Sequence, residues 1–184
     1  MLINPLGTDI YVKGAPSEMI RMAFMTDSAR VIGASSPDAN AARFELLPEK
    51  LSDAMTKLYV SENIAVGARS FTQFIKGSKH TYVITRGENY IPPRGREDVI
   101  CINNFMELVD KYGGGEGELL IVGGKTIFKL FLPYTTSLDI AETHELVPGD
   151  IVFDDWLSAG FEKVEEEARD GFRVIRYTSK YNET

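Results

Sequence analysis

The sequence predicts an α/β fold with one sheet that is parallel in its centre and gains antiparallel strands towards its end. Between residues 19 and 131, short apolar runs alternate with segments of helical periodicity, which is typical of strands joined by crossover helices. The last third of the chain reads almost entirely as strand. With 184 residues and no internal repeat, one domain is expected. We place an N-terminal extension at residues 1–17, rich in proline and glycine, and the domain at residues 18–184.

Short apolar or β-rich runs predict the strands. These strands cover residues 19–25, 63–67, 81–85, 98–102, 118–122, 137–143, 151–153 and 172–177. In the last of them apolar residues alternate with charged ones, which predicts a partly solvated antiparallel edge. The extension carries a further short strand signal at residues 9–12.

Periodicity and end signals predict the helices, at residues 47–58, 70–76, 103–112 and 125–132. Pro48 suits the first turn of the first helix, because a helix leaves the N–H groups there without partners. Ser70 can cap the second helix, and Gly77 can close it. Residues 34–42 are small and turn-forming, so we expect a loop there.

Composition excludes several classes of function. Lys and Arg total 20 against 27 Asp and Glu, a net charge of −7, which argues against sequence-independent nucleic-acid binding. No apolar run reaches the ~18–20 residues that span a bilayer, and the first twenty residues lack a secretory pattern. A cytoplasmic protein with no membrane partner is therefore expected. Cys101 cannot form an internal disulfide and is expected in the core, while His80 and His144 lack ligand spacing, so no metal site is expected.

The most informative segment is residues 118–133, in which a buried strand runs into Gly123 and Gly124 and then into a helix. Glycines let a ligand approach the backbone, and the free N–H groups of a helix start attract anions such as phosphate. Lys125 adds a positive charge there. The alternative is a tight turn in which the glycines serve packing alone.

Two further strand ends carry phosphate-binding side chains. Arg69 and Ser70 follow one strand, and Thr85 and Arg86 follow the next. In a parallel sheet, ligands bind beyond the carboxyl ends of the strands, so these residues and the glycine turn are expected to face one crevice. Arginine binds phosphate through a planar fork of donors, which favours a phosphorylated cofactor. Taken singly, each arginine is also consistent with a solvated surface charge.

The order of these motifs, followed by residues 144–156 and a closing segment at 170–181, resembles the dihydrofolate reductase family over roughly residues 19–180. The resemblance implies an eight-stranded, mostly parallel sheet flanked by about four helices, with NADPH as hydride donor. It also implies a cis bond between Gly123 and Gly124, and contacts from Arg69, Ser70, Thr85 and Arg86 to the adenosine 2′-phosphate and its surroundings. The cofactor-binding residues it implies are Ala23, Ile32, Gly67, Arg69, Ser70, Thr85, Arg86, Gly123, Gly124, Lys125, Thr126 and Ile127.

The resemblance is weaker around the substrate. The family places an acid at the start of its first helix. Alignment on Leu47-Pro48 puts Lys50 there, whereas spacing from the aromatic Phe44 puts Glu49 there. We assign the catalytic role to Glu49, with Asp53 as the fallback, because a lysine could not recognise a protonated pterin. A buried carboxylate has a raised pKa and favours protonation of the imine nitrogen. A solvated acid in the first helical turn is the alternative.

Other positions depart from the family pattern. Ala141 stands where the family has a threonine, and Lys79 where it has the arginine that grips the folate tail. Phe24 is bulky at one of two small positions beside the nicotinamide. By the same resemblance, Phe44, Lys79 and Phe128 are the implied substrate-binding residues, although Phe128 also fits a core position.

Three functions therefore stay open. The first is NADPH-dependent reduction of 7,8-dihydrofolate to tetrahydrofolate, which belongs to one-carbon metabolism. The second keeps the cofactor but reduces a pyrimidine of the riboflavin pathway. The third is a non-catalytic relative that binds a partner. In the first two cases the partner is a small molecule, with no nucleic acid or membrane involved, and the protein is a monomer or a homodimer.

Overall fold

The computed structural model describes residues 20–70, 78–87, 90–92, 94–115 and 117–180. The extension at 1–17, including the strand expected at 9–12, lies outside the described residues. All of the helix expected at 70–76 except Ser70 also lies outside them.

Eight strands form one sheet, as the resemblance implies. Its order is β5-β4-β3-β6-β1-β7-β10-β9. The described strands are β1 (Ile20–Thr26), β2 (Val31–Gly33), β3 (Asn63–Gly67), β4 (His80–Ile84), β5 (Val99–Ile102), β6 (Leu119–Ile121), β7 (Ser137–Thr143), β8 (Ile151–Val152), β9 (Phe161–Ala168) and β10 (Phe172–Ser179). All pairs from β5 to β7 are parallel, while β10 runs antiparallel to both β7 and β9. This confirms the α/β fold with antiparallel C-terminal strands. β2 and β8 form a separate antiparallel ribbon.

The described helices are α1 (Pro37–Glu45), α2 (Leu51–Leu58), α3 (Met106–Gly113) and α4 (Lys125–Phe131). The prediction of a loop at residues 34–42 was wrong, because most of these residues belong to α1. The signal for α1 was Ser36-Pro37: the Ser36 side chain accepts a hydrogen bond from the Ala39 N–H at 3.3 Å, and proline suits the first helical position. The helix expected at 47–58 begins only at Leu51.

The antiparallel end of the sheet has one more strand than the sequence predicted. β9 carries five charged residues among its eight and forms the outer edge. β10 therefore lies inside the sheet rather than at its edge, because β9 covers it. Because most residues of β9 are charged, its sequence lacks the alternation of apolar and polar residues by which a strand is recognised.

The core lies on both faces of the sheet. On the face covered by α3 and α4, β1 contributes Met22 and Phe24. The opposite face is covered by α2, and there Ala23 and Ala141 are fully buried.

The outermost strand β5 explains the exposure of Cys101. This residue is exposed, so the expectation of a core cysteine was wrong. β5 lies at the edge of the sheet and has a neighbour on only one side. Within the described residues, no helix is both long enough and apolar enough to cross a membrane.

Candidate active site

The carboxyl ends of β4, β3 and β6 meet at one edge of the sheet, because these three strands are parallel neighbours. Arg69 and Ser70 lie in a 3₁₀ turn, Ala68–Ser70, that directly follows β3. Arg86 follows β4 by two residues, and Gly123 follows β6 by two. The structure thus brings together the strand ends that the sequence singled out.

Gly67, Gly123 and Gly124 form what we call the glycine corner. The Gly67 N–H donates to the Gly123 carbonyl oxygen at 2.8 Å, which joins the ends of β3 and β6. The peptide bond between Gly123 and Gly124 is cis, as the resemblance implies. Gly123 has a φ of 134°, which favours glycine over other residues.

Side chains pack closely around this corner. A Cβ atom on Gly67 would lie 3.0 Å from Cγ1 of Ile127, and one on Gly124 would lie 2.6 Å from Oγ of Ser70. Ser70 and Ile127 therefore touch the glycine backbone from either side. Larger residues at these glycines would displace them.

Three cations lie at the same strand-end edge as the corner, and among the described residues none of them forms an ion pair. Arg69 and Arg86 are exposed, and Lys125 is half-buried at the start of α4. Thr85 shapes the turn before Arg86, since its carbonyl accepts from Asn103 at 2.6 Å and its hydroxyl from the Gly87 N–H at 3.1 Å. Many arginines elsewhere are paired with carboxylates, namely Arg21, Arg30, Arg96, Arg169, Arg173 and Arg176. In a chain of net charge −7, three uncompensated cations at one strand-end edge suit an anionic ligand.

Several implied residues surround the corner less directly. Thr126 is exposed on the first turn of α4. Ala23 is fully buried on the α2 face, in the cluster that includes Val66 and Val122. Ile32, in the β2–β8 ribbon, packs against the core on the α4 face.

The ribbon is fastened by Asp150. The Ser35 N–H donates to Oδ1 of Asp150 at 2.8 Å, and the Ser35 hydroxyl donates to Oδ2. These hydrogen bonds lower the pKa of the Asp150 carboxyl. A side chain on Gly149 would collide with the Gly33 carbonyl oxygen, so the segment just before β8 lies close to the end of β2.

Glu49 lies away from the glycine corner. It is exposed and lines a cleft of about 360 Å³, together with His144, Glu145 and Asp170. The lining of this cleft includes no residue of the glycine corner. The expectation of a buried carboxylate was wrong for this position, because Glu49 lies in the surface loop between α1 and α2.

The remaining substrate-side residues are also spread out. Asp53 is exposed on α2, and Lys50 directly precedes that helix. Phe44 is 40% exposed near the end of α1. Lys79 is exposed at the amino end of β4, at the opposite edge of the sheet from Arg86.

The buried acids of the described residues are already bonded. Asp27 accepts from the N–H groups of Ala29, Val31 and Val147. Asp139 accepts from Arg21 and Arg176, and Glu142 accepts from Arg30 and Arg173.

Sequence reasoning missed an aromatic block beside the corner, which consists of Phe24, Phe128, Phe153 and Trp156. The Phe24 ring centroid lies 5.1 Å from that of Phe128 and 5.5 Å from that of Phe153. Phe128 stacks on Phe153 at 5.2 Å, and Trp156 lies 6.3 Å from Phe24. No local sequence signal joins these four residues, because they belong to β1, to α4 and to the segment after β8.

It also missed Tyr59, which ends α2 and packs against the apolar clusters of the α2 face. Burial raises the pKa of its phenol.

Comparisons with known proteins match most of the chain. The family model for dihydrofolate reductase matches residues 19–182. The chain is 27% identical over 124 residues to dihydrofolate reductase type A13 of Escherichia coli, covering 66% of this chain and 72% of the relative. It is 37% identical over 57 residues to dihydrofolate reductase 1 of Haloarcula marismortui, covering 31% and 30%.

Two solved structures share the fold. An Enterococcus faecalis dihydrofolate reductase complexed with NADP(H) and RAB-propyl superposes with a TM-score of 0.67 at 21% identity, covering 89% of this chain and 98% of that one. A candidate riboflavin biosynthesis protein from Shewanella sp. PV-4 also gives 0.67, at 15% identity, covering 88% and 99%. At these identities the two likenesses show the fold.

Proposed function

Because the chain belongs to the dihydrofolate reductase family, we propose that it is an oxidoreductase that reduces 7,8-dihydrofolate to tetrahydrofolate with NADPH. One observation carries the cofactor assignment. Arg69, Arg86 and Lys125 lie at a single strand-end edge with no ion pair among the described residues, next to a closely packed backbone corner of three glycines.

The residues at this edge suit the phosphates of such a cofactor. Arg69 and Arg86 would hold the adenosine 2′-phosphate through charge-assisted hydrogen bonds, with Ser70 and Thr85 as hydroxyl partners. Gly123, Gly124 and Lys125 would receive the pyrophosphate, since the glycine backbone permits close approach. When bound, the cofactor supplies a hydride. The protein would align the two rings and exclude water from them.

Protonation of the substrate is assigned to the start of α2. Glu49 would orient a solvent water towards the imine nitrogen, with Asp53 one helical turn further as the alternative. The exposure of Glu49 suits a water-mediated role more than direct contact. The resemblance also proposes Phe44, Lys79 and Phe128 as substrate contacts. Of these only Phe44 lies near the start of α2, because Lys79 is at the opposite edge of the sheet from Arg86 and Phe128 is buried beside the glycine corner.

A second candidate is a reductase of the riboflavin pathway, acting on a phosphoribosylamino-pyrimidine. The surroundings of α2 favour it. Lys50 precedes the helix, Ala141 is fully buried beneath it, and the buried acids of the described residues are all bonded to other groups. The fold likeness to the Shewanella protein is consistent with this candidate.

The deciding experiment follows NADPH oxidation by absorbance with each substrate in turn. Turnover of dihydrofolate supports the first candidate, and turnover of the pyrimidine alone supports the second. Glu49→Gln should abolish most turnover, whereas the control Glu145→Gln, in the same cleft but on the loop after β7, should not. If millimolar NADPH changes neither Trp156 fluorescence nor thermal stability, both reductase functions fail and a non-catalytic binding role is left.

The cytoplasmic location, the boundary at residue 18 and the choice between monomer and homodimer stay predictions.

A further inference from the structure

The turn that carries Arg86 is held by a side chain from the neighbouring strand. Asn103, which directly follows β5, donates from Nδ2 to the carbonyl oxygen of Thr85 at 2.6 Å. The register of β4 on β5 ends with Ile84 opposite Ile102, and the Thr85 N–H then donates to the Ile102 carbonyl oxygen at 3.0 Å. The Asn103 side chain therefore adds one hydrogen bond beyond the end of the β4–β5 pairing.

This hydrogen bond acts on the backbone at the point where the chain enters Arg86. The Thr85 carbonyl group and the Arg86 N–H belong to one planar peptide unit, so a bond that holds the oxygen also orients the N–H. On the other side of Arg86, the Gly87 N–H donates to the Thr85 hydroxyl at 3.1 Å. Arg86 therefore lies between two anchored peptide groups. Its side chain is exposed, so the anchored backbone is what limits the positions that the guanidinium can reach.

We propose that Asn103 is a positioning residue, which holds the Thr85–Arg86 peptide so that Arg86 is directed at the 2′-phosphate before the cofactor binds. This inference rests on the proposed function. A donor that is already held in its bound position loses less freedom on binding, and the ligand is bound more tightly as a result. Asn103 acts in this way through Arg86 and has no contact of its own with the cofactor. It is exposed, so its replacement should leave the core intact.

The test begins with Asn103→Leu, which keeps roughly the size of the side chain and removes the donor. Its Kd for NADPH, measured by calorimetry, should rise about threefold to tenfold, the effect expected of one hydrogen bond. Its Kd for NADH, which lacks the 2′-phosphate, should change little. A change that only loosened the fold would weaken the binding of both dinucleotides.

Double variants separate positioning from direct contact. In an Arg86→Gln background, Asn103→Leu should cause no further loss of NADPH affinity, because the guanidinium that it positions is already absent. In an Arg69→Gln background the loss should appear in full, since Arg69 lies on the separate turn after β3. A loss of equal size in both backgrounds would mean that Asn103 does not act through Arg86, and would overturn the inference.

Asn104→Leu is the matched control. Asn104 is the next residue and is also exposed, but its Oδ1 accepts from the Met106 N–H at 3.1 Å, at the start of α3. Its replacement should leave NADPH binding unchanged. The inference is also overturned by NADPH affinity equal to that of the wild type in Asn103→Leu, by an equal loss for NADH, or by an equal loss in Asn104→Leu. These outcomes leave the proposed function standing, whereas a wild type that binds neither NADPH nor 2′,5′-ADP contradicts the proposed function itself.

Discussion

Gly67 donates its N–H to the carbonyl oxygen of Gly123 at 2.8 Å, although the two residues are 56 positions apart in the chain. This bond fixes the glycine corner to the end of β3, and the next three residues of the chain include Arg69 and Ser70. The position of the proposed phosphate-binding side chains therefore depends on the same backbone contact as the corner itself. Changes on either strand should affect both.

Gly124→Ala tests how closely the corner is packed. The new methyl group would lie 2.6 Å from Oγ of Ser70, so Ser70 must move. We expect a loss of about 1–3 kcal/mol in the free energy of unfolding, as for other overpacked sites, together with weaker NADPH binding by calorimetry. Gly113→Ala is the control, because nothing lies within 4 Å of a methyl group there.

The double variant Ser70→Ala, Gly124→Ala should recover most of that loss. Removing the hydroxyl leaves the two Cβ atoms 3.8 Å apart, which is ordinary contact. Additive losses from the two single changes would contradict a direct clash.

Arg69→Gln and Arg86→Gln test the cationic edge. Each should weaken NADPH binding about tenfold, or roughly 1.4 kcal/mol, because each removes a charge-assisted hydrogen bond to phosphate. Binding of NADH, which lacks the 2′-phosphate, should change little. Arg169→Gln removes an arginine paired with Glu167 in the β9–β10 hairpin and should have no effect. NADPH affinity equal to that of the wild type in both site variants would exclude the proposed phosphate contacts.

Asp139→Asn tests a buried ion pair. Burial alone would raise the pKa of Asp139, but Arg21 and Arg176 outweigh burial and lower it. Losing one partner of such a cluster costs about 3–5 kcal/mol, since buried charge is left uncompensated. Glu166→Gln, which removes partly exposed pairs with Lys163 and Arg173, should cost much less, because solvent screens exposed ion pairs. Urea unfolding measures the free energy of unfolding of both variants, and equal losses in the two would contradict this prediction.

Asp98 should make stability depend on acid pH. Hydrogen bonds from Arg96, with help from Thr81 and Ser78, hold the pKa of its carboxyl well below the usual range. In the unfolded chain this carboxyl protonates near pH ~3.9. The unfolded state therefore binds more protons just below that pH, and the contribution of Asp98 is present above it and lost as the pH falls.

Asp98→Asn should consequently lower the Tm at pH 7 by a few degrees, since about 1 kcal/mol shifts Tm by roughly 2–4 °C at this size. The difference from the wild type should shrink between pH 5 and pH 2. Asp110→Asn, on the exposed side of α3, is the reference. A difference that stays constant down to pH 2 would contradict the role of Asp98.

The cofactor side could be predicted from the sequence because each of its parts is local. One strand end is followed by Arg69-Ser70, another by Thr85-Arg86 and a third by two glycines. To predict that they lie close together, one needs only the rule that parallel strands end at one edge of the sheet. The family model matches residues 19–182, which contain all three strand ends.

The substrate side could not be predicted, because it depends on offsets of a single residue. Alignment on Leu47-Pro48 puts Lys50 in the place of the acid, whereas alignment on Phe44 puts Glu49 there. Glu49 is exposed because it lies in a loop, and the local sequence does not determine the path of that loop. The exposure of Cys101 likewise depends on which strand lies outermost, which is a property of the whole sheet.

The charges of β9 have a consequence for how copies of the molecule meet. Glu165, Glu166 and Glu167 lie on an outer strand whose free backbone groups could otherwise recruit a neighbouring chain into intermolecular β-structure. Two such edges repel each other while their carboxylates are ionised, and hydrogen bonds from Lys163 and Arg169 keep the pKa values of Glu166 and Glu167 low. This protection against fibrillar aggregation should therefore persist through mild acidification and weaken only in strong acid or concentrated salt.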